Sequence, residues 1–243
     1  MMSEIINRPV DYQVQGRDYQ GHLLYQDKAT PDRALLMAPN FAGISAAAMA
    51  QAEKRLDART VILVLDPFGV DVRPQDAQQA MEAMTRARAD VQQLREVLLA
   101  ALATLRQEAG KLGVAEDRVA VFGFCFGGAC ALELARCGAD ARAFVSFHGL
   151  LTTQQPATAS PAGPVLVLNG ADDPMVSAED QQAFKAEMDA AQADWTLVNY
   201  SATVHSFTDP NANIPGRSVY NPVVARRAFA AMDDLLEEVF GGL

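Results

Sequence analysis

A tight, glycine-flanked turn between a strand and a helix constrains the fold of this chain more than any other feature. The hexapeptide Gly123-Phe124-Cys125-Phe126-Gly127-Gly128 follows the apolar run Val119–Phe122 and precedes a helical segment. A turn this sharp leaves little room for side chains two residues on either side of its centre, and Gly123 and Gly127 meet that need. The sequence therefore predicts that Cys125 stands on a strained turn, with its sulfur above the end of a strand and at a helix N-terminus that favours a thiolate.

Short apolar runs alternate with helical segments along the rest of the chain. The predicted strands are Val10–Gln15, Gln20–Tyr25, Ala34–Ala38, Val61–Leu65, Val119–Phe122, Ala143–Phe147, Val165–Leu168 and Thr196–Tyr200. The predicted helices are Ala46–Leu56, Phe126–Arg136, Ala178–Ala190, Pro222 to about Val239, and the stretch Gln75–Leu112, in which Asp90 can cap a new helix. Continuous apolar runs are typical of parallel strands buried on both faces. The sequence predicts an α/β fold, with a mostly parallel central sheet and helices on both faces, in one domain of residues 1–243.

Composition and charge narrow the expected partners and location. Half of the residues are hydrophobic, and the formal net charge is −10. Phosphate backbones and anionic lipid surfaces repel such a chain, so neither nucleic acid nor a membrane is an expected partner. Charges interrupt every apolar run, and Met1–Asp11 lacks the pattern of a secretory signal, which favours a cytoplasmic location. The three cysteines, Cys125, Cys130 and Cys137, are expected to be reduced thiols.

A nucleophile on such a turn needs a base, and the three histidines differ in their fitness for that task. His205 lies in a loop after the last predicted strand, where the base of this kind of site belongs. His148 follows the strand that ends at Phe147 but precedes any candidate acid, so we interpret it as a neighbour of the site. His22 falls in the N-terminal hairpin and is expected on the surface.

The orienting carboxylate should come between the nucleophile and the histidine, after the next-to-last strand. Asp172 and Asp173 both follow Val165–Leu168. A Gly-x-x-Asp-x-x-Val spacing, from Gly170 to Val176, selects Asp173, and Asp172 is then a turn residue or a charge near the next helix.

These residue types in this order predict acyl transfer to a thiol. Asp173 would fix the tautomer of His205, and His205 would hold the proton of the Cys125 thiol. The thiolate would attack an ester carbonyl and form a thioester, which water then hydrolyses. Two backbone N–H groups would stabilise the oxyanion, one from Phe126 and one from Phe41 in the loop after the third strand.

Together these segments resemble the dienelactone hydrolase family of α/β-hydrolases. The resemblance spans nearly the whole chain and rests on Pro39–Ile44, Leu65–Gly69, the Cys125 turn, Gly170–Val176, His205–Ala212 and Tyr220–Asn221. Cysteine at the turn is its most specific mark, because most α/β-hydrolases carry serine there. The resemblance implies a cofactor-independent hydrolase of small cyclic or activated esters, with a triad of Cys125, Asp173 and His205.

Two departures from the family pattern bear on the substrate. Family members often carry a glutamate where this chain has Asn40, whose amide cannot take a proton. Enzymes that act on dienelactone hold the substrate carboxylate with arginines, and the corresponding places hold Val70 and Asp209. Arg73 and Arg217 lie near in sequence and are either substitutes or surface residues. A neutral ester or lactone is therefore the favoured substrate.

Several alternatives stay open at this point. The candidate pocket residues are Asn40, His148, Phe207 and Arg73, and Phe207 is equally compatible with core packing. The same thiolate could hydrolyse a thioester or phosphotriester, transfer an acyl group, or serve as a redox sensor, and the scaffold could instead belong to a binding protein. No metal-ligand pair or dinucleotide fingerprint is present in the sequence, so neither metal nor cofactor is expected. The expected assembly is a monomer or small homo-oligomer.

Overall fold

The computed structural model of the protein describes residues 4–241, which form two compact units that divide after Val121. Residues 1–3 and 242–243, which the sequence analysis included in a single domain, lie outside the described residues. That single domain stays a prediction, and the two units are described in turn.

The N-terminal unit carries four neighbouring strands in the order β1-β2-β4-β3. They are β1 (Ile5–Val14), β2 (Arg17–Gln26), β3 (Arg33–Ala38) and β4 (Thr60–Val64). β1 and β2 pair as the predicted hairpin, and its two turn residues, Gln15 and Gly16, have positive φ values of 49° and 78°. This is the pattern of a type I′ turn, whose twist matches that of antiparallel strands. β2 then pairs antiparallel with β4, and β4 pairs parallel with β3.

Three helices complete this unit: α1 (Ala46–Glu53), α2 (Ala77–Ala89) and α3 (Val91–Gly110). The long helical stretch of the prediction is thus two helices, and the break falls at Asp90. The side chain of Asp90 accepts a hydrogen bond from the N–H of Gln93 at 3.0 Å and starts α3, as predicted. The apolar stripe of α3 packs against β1 and β3.

β5 (Val119–Phe124) begins in the N-terminal unit and ends in the C-terminal unit. The remaining elements are α4 (Phe126–Arg136), β6 (Phe144–Phe147), β7 (Val165–Gly170), α5 (Ala178–Ala190), β8 (Trp195–Tyr200), β9 (Asn213–Ile214), β10 (Ser218–Val219) and α6 (Pro222–Gly241). β6, β7 and β8 lie side by side and parallel. Every residue of β6 and β7 is buried, which explains their continuous apolar sequence.

A buried charge cluster ties three parts of the C-terminal unit together. The side chain of Arg136, at the end of α4, is 1% exposed and contacts Glu133 at 3.0 Å and Glu187 of α5 at 2.9 Å. Its Nη2 also donates to the carbonyl oxygen of Leu151, in the loop after β6, at 2.6 Å. Because both carboxylates are themselves largely buried, removing the arginine would leave two negative charges in the interior without their cationic partner.

No helix within residues 4–241 combines the length and the apolar character needed to cross a bilayer.

Candidate active site

Cys125 occupies the sharp turn between β5 and α4. Its φ of 55° and ψ of −115° are unusual for a residue with a side chain. The N–H of Cys125 donates to the carbonyl oxygen of Phe147, at the end of β6, at 3.0 Å. The thiol therefore sits one residue before a helix, where the partial positive charge of the helix N-terminus stabilises a thiolate.

The imidazole of His205 and the carboxylate of Asp173 form a buried pair. Nδ1 of His205 lies 2.7 Å from Oδ2 of Asp173, and both residues are buried. The other carboxylate oxygen, Oδ1, accepts from the N–H of Met175 at 2.8 Å, which fixes the carboxylate in its loop. Of the two competing aspartates, Asp173 is the one that contacts His205, whereas Asp172 is exposed.

The loops that carry this pair are joined through their backbones. The N–H of Asp172 donates to the carbonyl oxygen of Thr203 at 3.0 Å, and that of Ala171 donates to Tyr200 at 2.9 Å. A Cβ atom added to Gly170 would overlap the carbonyl oxygen of Thr203. Glycine at 170 therefore lets the histidine loop lie directly against the acid loop.

The protonation of His205 follows from its surroundings. Burial by itself lowers the pKa of His205, but the hydrogen bond that its Nδ1 donates to Asp173 and then the interaction with Cys125 raise this pKa to about 9. Its Nε2 atom is buried and makes no hydrogen bond of standard geometry among residues 4–241. Contacts between a base and its nucleophile are often long or misaligned before substrate binds. The site thus favours an imidazolium of His205 at neutral pH.

His148 is buried and lies next to His205, and its predicted role as a neighbour of the active site stays a prediction. It is 2% exposed, and its ring centroid is 5.1 Å from that of His205 in an edge-to-face arrangement. Its Nε2 lies 2.7 Å from Oγ1 of Thr208. Burial and then the charge of His205 hold the pKa of His148 well below its usual range, so this ring is neutral at physiological pH.

The start of α4 and the residues around His148 are in close steric contact. A Cβ at Gly128 would lie 2.6 Å from Oγ of Ser146, and one at Gly149 would overlap the same oxygen. The third glycine of the turn motif, Gly128, therefore makes room for the chain that follows β6.

Two further predicted site residues of the C-terminal unit are fully buried. Phe126 is the first residue of α4, where backbone N–H groups lack partners within the helix. Phe207 is 0% exposed, and its ring packs edge-on against His148 and Tyr200, at centroid distances of 5.0 and 5.7 Å. This packing fixes Phe207 within the loop that carries His205, and its place in a pocket wall stays a prediction.

The other predicted site residues, Asn40, Phe41 and Arg73, belong to the N-terminal unit. Oδ1 of Asn40 accepts from the N–H of Ala42 at 3.0 Å, so this side chain shapes its own loop. Phe41 is partly exposed in that loop. The Phe41 N–H as an oxyanion donor and Asn40 as a pocket residue stay predictions.

Arg73 is engaged in a structural ion pair. Its Nη2 lies 2.8 Å from the fully buried carboxylate of Asp66, and its Nη1 donates to the carbonyl oxygen of Gly69 at 2.5 Å. The same carboxylate accepts from the N–H groups of Phe68 and Gly69. Arg73 therefore stabilises the loop after β4, and its place in a substrate pocket stays a prediction.

Within the described part of the chain, no three His, Cys, Asp or Glu side chains are grouped as metal ligands.

Comparison with known proteins places this arrangement in a family. The model of the dienelactone hydrolase family matches residues 20–240. The chain belongs to the dienelactone hydrolase family. The predicted family is therefore confirmed, and with it the class of ester hydrolases.

Solved structures confirm the fold predicted for this dienelactone hydrolase family member. The structure named m3DLH is 32% identical, covers 97% of this chain and 99% of its own, and superimposes with a TM-score of 0.87. A dienelactone hydrolase-like promiscuous phosphotriesterase from metagenomic libraries is 32% identical, with 97% and 98% coverage and a TM-score of 0.85. The α/β-hydrolase fold and its mostly parallel central sheet are thus confirmed.

Two curated relatives match part of the chain. An uncharacterised protein of Caenorhabditis elegans is 36% identical over 132 residues, which are 52% of this chain and 84% of that protein. A Bradyrhizobium protein named "Probable 2-oxo-3-(5-oxofuran-2-ylidene)propanoate lactonase" is 30% identical over 145 residues, 56% of each chain.

Thr208 and Ser146 belong to the site but escaped the sequence analysis. Thr208 bonds to a histidine 60 positions earlier in the chain, and Ser146 faces the first turn of α4. Both contacts depend on tertiary proximity. The one local signal is that Thr208 lies three residues after His205.

Proposed function

We propose that the protein hydrolyses small neutral esters or lactones through a thioester on Cys125, with His205 as base and Asp173 as its orienting acid. The buried 2.7 Å pair of His205 and Asp173, whose free ring nitrogen is left for a thiol on a strained turn, carries this proposal. The reaction needs no group beyond these side chains, backbone donors and water.

The chemical steps follow from this arrangement. The thiolate of Cys125 attacks the carbonyl carbon, a C–S bond forms, and the carbonyl electrons move onto oxygen. The imidazolium of His205 gives its Nε2 proton to the leaving oxygen as the ester C–O bond breaks. In the second half, His205 takes a proton from water, the water oxygen attacks the thioester, and the C–S bond breaks to release the acid.

Stabilisation of the oxyanion is assigned to the backbone N–H of Phe126. Phe126 directly follows the nucleophile at the start of α4, the place where such a donor is found in sites of this geometry. Loss of one donor of this type raises the barrier by about 3 kcal/mol.

The charges of the described residues support a neutral substrate. The chain carries a net charge of −10, and the guanidinium of Arg73 is held by Asp66 and by carbonyl oxygens of its own loop. A substrate carboxylate would therefore have to bind without an ion pair to Arg73, whereas an uncharged ester or lactone requires no such ion pair.

The first experiment compares hydrolysis of p-nitrophenyl acetate and a neutral lactone by the wild type and by Cys125→Ala. We expect turnover by the wild type and none by the variant, with an acetyl adduct on the Cys125 peptide when the wild type is quenched early and examined by mass spectrometry. Equal activity of the two proteins, or an adduct elsewhere, would show that Cys125 is not the nucleophile.

Phosphotriester hydrolysis is the second candidate. It is favoured by the 32% identity and 0.85 TM-score with the dienelactone hydrolase-like promiscuous phosphotriesterase. A thiolate can attack phosphorus and expel a good leaving group, so diethyl 4-nitrophenyl phosphate should release nitrophenol and leave a diethylphosphoryl group on Cys125. Nitrophenol release by Cys125→Ala at the wild-type rate would exclude this route.

A further inference from the structure

The end of β6 contacts all three segments that carry the proposed catalytic residues. The carbonyl oxygen of Phe147 accepts from the N–H of Cys125 at 3.0 Å, and the N–H of His148 donates to Leu168 of β7 at 2.8 Å. β7 leads into the loop of the acid. The ring of His148 meets that of His205 at 5.1 Å. Residues 147 and 148 thus connect the nucleophile, the acid strand and the base.

His148 is held tightly in this place. Its φ of 40° is strained for a residue with a side chain, and such a conformation persists only where the surroundings enforce it. Nε2 lies 2.7 Å from Oγ1 of Thr208, and the ring packs edge-on against Phe207 at 5.0 Å. Thr208 and Phe207 belong to the same loop as His205, so His148 contacts both the imidazole of His205 and the loop that carries it.

The tautomer and charge of His148 suit this contact. Nδ1 is buried and has no hydrogen-bond partner among the described residues, so the proton belongs on Nε2, where Thr208 accepts it. A neutral ring lies against an imidazolium without repulsion, whereas a second positive charge at this distance would oppose it.

We propose that His148 is a positioning residue: tied to Thr208, its neutral ring holds the imidazole of His205 in the orientation that joins Asp173 to the sulfur of Cys125. For its part in turnover this inference rests on the proposed function. Asp173 and Cys125 raise the pKa of His205, and the charge of His205 lowers the pKa of His148. A changed pH profile in a His148 or Thr208 variant therefore reports on this contact.

The test uses His148→Phe, which keeps a ring but loses Nε2, together with Thr208→Val and its matched control Thr208→Ser. The first measurement gives kcat and KM for p-nitrophenyl acetate. The second gives the rate at which iodoacetamide alkylates the Cys125 peptide between pH 5 and pH 9, sampled at intervals of about half a pH unit. Alkylation reports on the thiolate and does not depend on ester turnover.

We expect His148→Phe and Thr208→Val to lower kcat by about tenfold to a hundredfold, the loss that follows from a displaced catalytic group, with KM nearly unchanged. Their alkylation profiles should move to higher pH, because a displaced imidazolium stabilises the thiolate less. Thr208→Ser keeps the hydroxyl and should behave as the wild type. The double variant should be no worse than His148→Phe, since both changes break one connection.

Folded Thr208→Val protein with wild-type kcat and a wild-type alkylation profile would overturn the inference. So would equal losses in Thr208→Val and Thr208→Ser, or losses without any change of the alkylation profile. If His148→Phe does not fold, the Thr208 pair decides alone. A wild type that hydrolyses no ester would refute the proposed function, while the alkylation profiles would still decide the role of His148.

Discussion

Replacing Asp173 by asparagine removes the charge of the buried pair while it preserves the size of the side chain. The amide oxygen can still accept the N–H of Met175, so the acid loop keeps its shape. The amide nitrogen then faces Nδ1 of His205 and favours the wrong tautomer of the ring. The pKa of His205 rises from an ordinary 6.5 to about 9 in the native site, with Asp173 as the largest cause of the rise. That difference corresponds to about 3 kcal/mol in favour of the imidazolium.

Cys125 also raises the pKa of His205, so the loss of Asp173 removes a part of the roughly 3 kcal/mol. A loss of about 1.4 kcal/mol already lowers the rate tenfold, and the wrong tautomer adds to it, so kcat/KM for p-nitrophenyl acetate should fall by roughly tenfold to a hundredfold. The assay is ester turnover at pH 7, with circular dichroism to verify folding. Asp172→Asn is the matched control, because its side chain is exposed and the adjacent residue makes the contact with His205. The reasoning is refuted if folded Asp173→Asn retains more than a third of the wild-type kcat/KM, or if Asp172→Asn loses as much.

Three further changes test the packing and charge around the site. Gly170→Ala forces a Cβ against the carbonyl oxygen of Thr203 and should lower the free energy of unfolding in urea by about 1–3 kcal/mol. A Cβ at the control position Gly110 meets nothing within 4 Å, so Gly110→Ala should be neutral or stabilising. Equal urea midpoints for the two variants would contradict the steric argument. Arg136→Met removes the cationic partner of two largely buried carboxylates and should lower the free energy of unfolding by about 3–5 kcal/mol, so a loss below 1 kcal/mol, on the order of a surface pair, would show that the cluster is solvated. His205→Gln removes a base whose pKa is raised in the folded protein. The wild type should therefore exceed the variant in free energy of unfolding most strongly below pH 6.5, and this difference should disappear as the pH rises through about 9. A difference that grows over this range in urea titrations would contradict the assigned charge.

Most elements were predictable because their signals are local. Phe126–Arg136 and Ala178–Ala190 were predicted with the observed bounds, and Ser177 and Asp180 form the capping box that their spacing indicated. β1 was predicted too short. Pro9 interrupts its pattern, yet a proline is tolerated in a strand with a neighbour on one side, where its missing N–H breaks no ladder bond.

The small hairpin of β9 and β10 was missed for a different reason. Residues 209–222 read as a polar surface loop, and strands of two residues leave no periodic signal. The hairpin is placed by a tertiary contact: the N–H of Val219 donates to the carbonyl oxygen of His205 at 3.1 Å. A sequence pattern cannot reveal such a bond before the position of the histidine loop is known.

For the candidate site, the order of residue types along the chain predicted which residues to select, but the sequence did not reveal the surroundings of each side chain. The order of nucleophile, acid and histidine led to Cys125, Asp173 and His205, two of which the structure joins by a hydrogen bond. Arg73 and Phe207 were proposed for the pocket because they lie near these motifs in sequence. The contacts that the structure shows for them, an ion pair with Asp66 and ring packing against His148, involve partners that the neighbouring sequence does not identify.

The contact between Gly128, Ser146 and Gly149 limits how this part of the sequence can diverge. Backbone atoms confine both glycines in addition to the serine oxygen: a Cβ at Gly128 would lie 2.9 Å from Cα of Gly149, and one at Gly149 would lie 2.8 Å from the carbonyl carbon of Gly128. The hydroxyl of Ser146 is buried and makes no hydrogen bond within residues 4–241, so its loss would remove no bond in that range. Descendants of this sequence should therefore keep glycine at both 128 and 149, whereas a change of Ser146 to alanine should be tolerated.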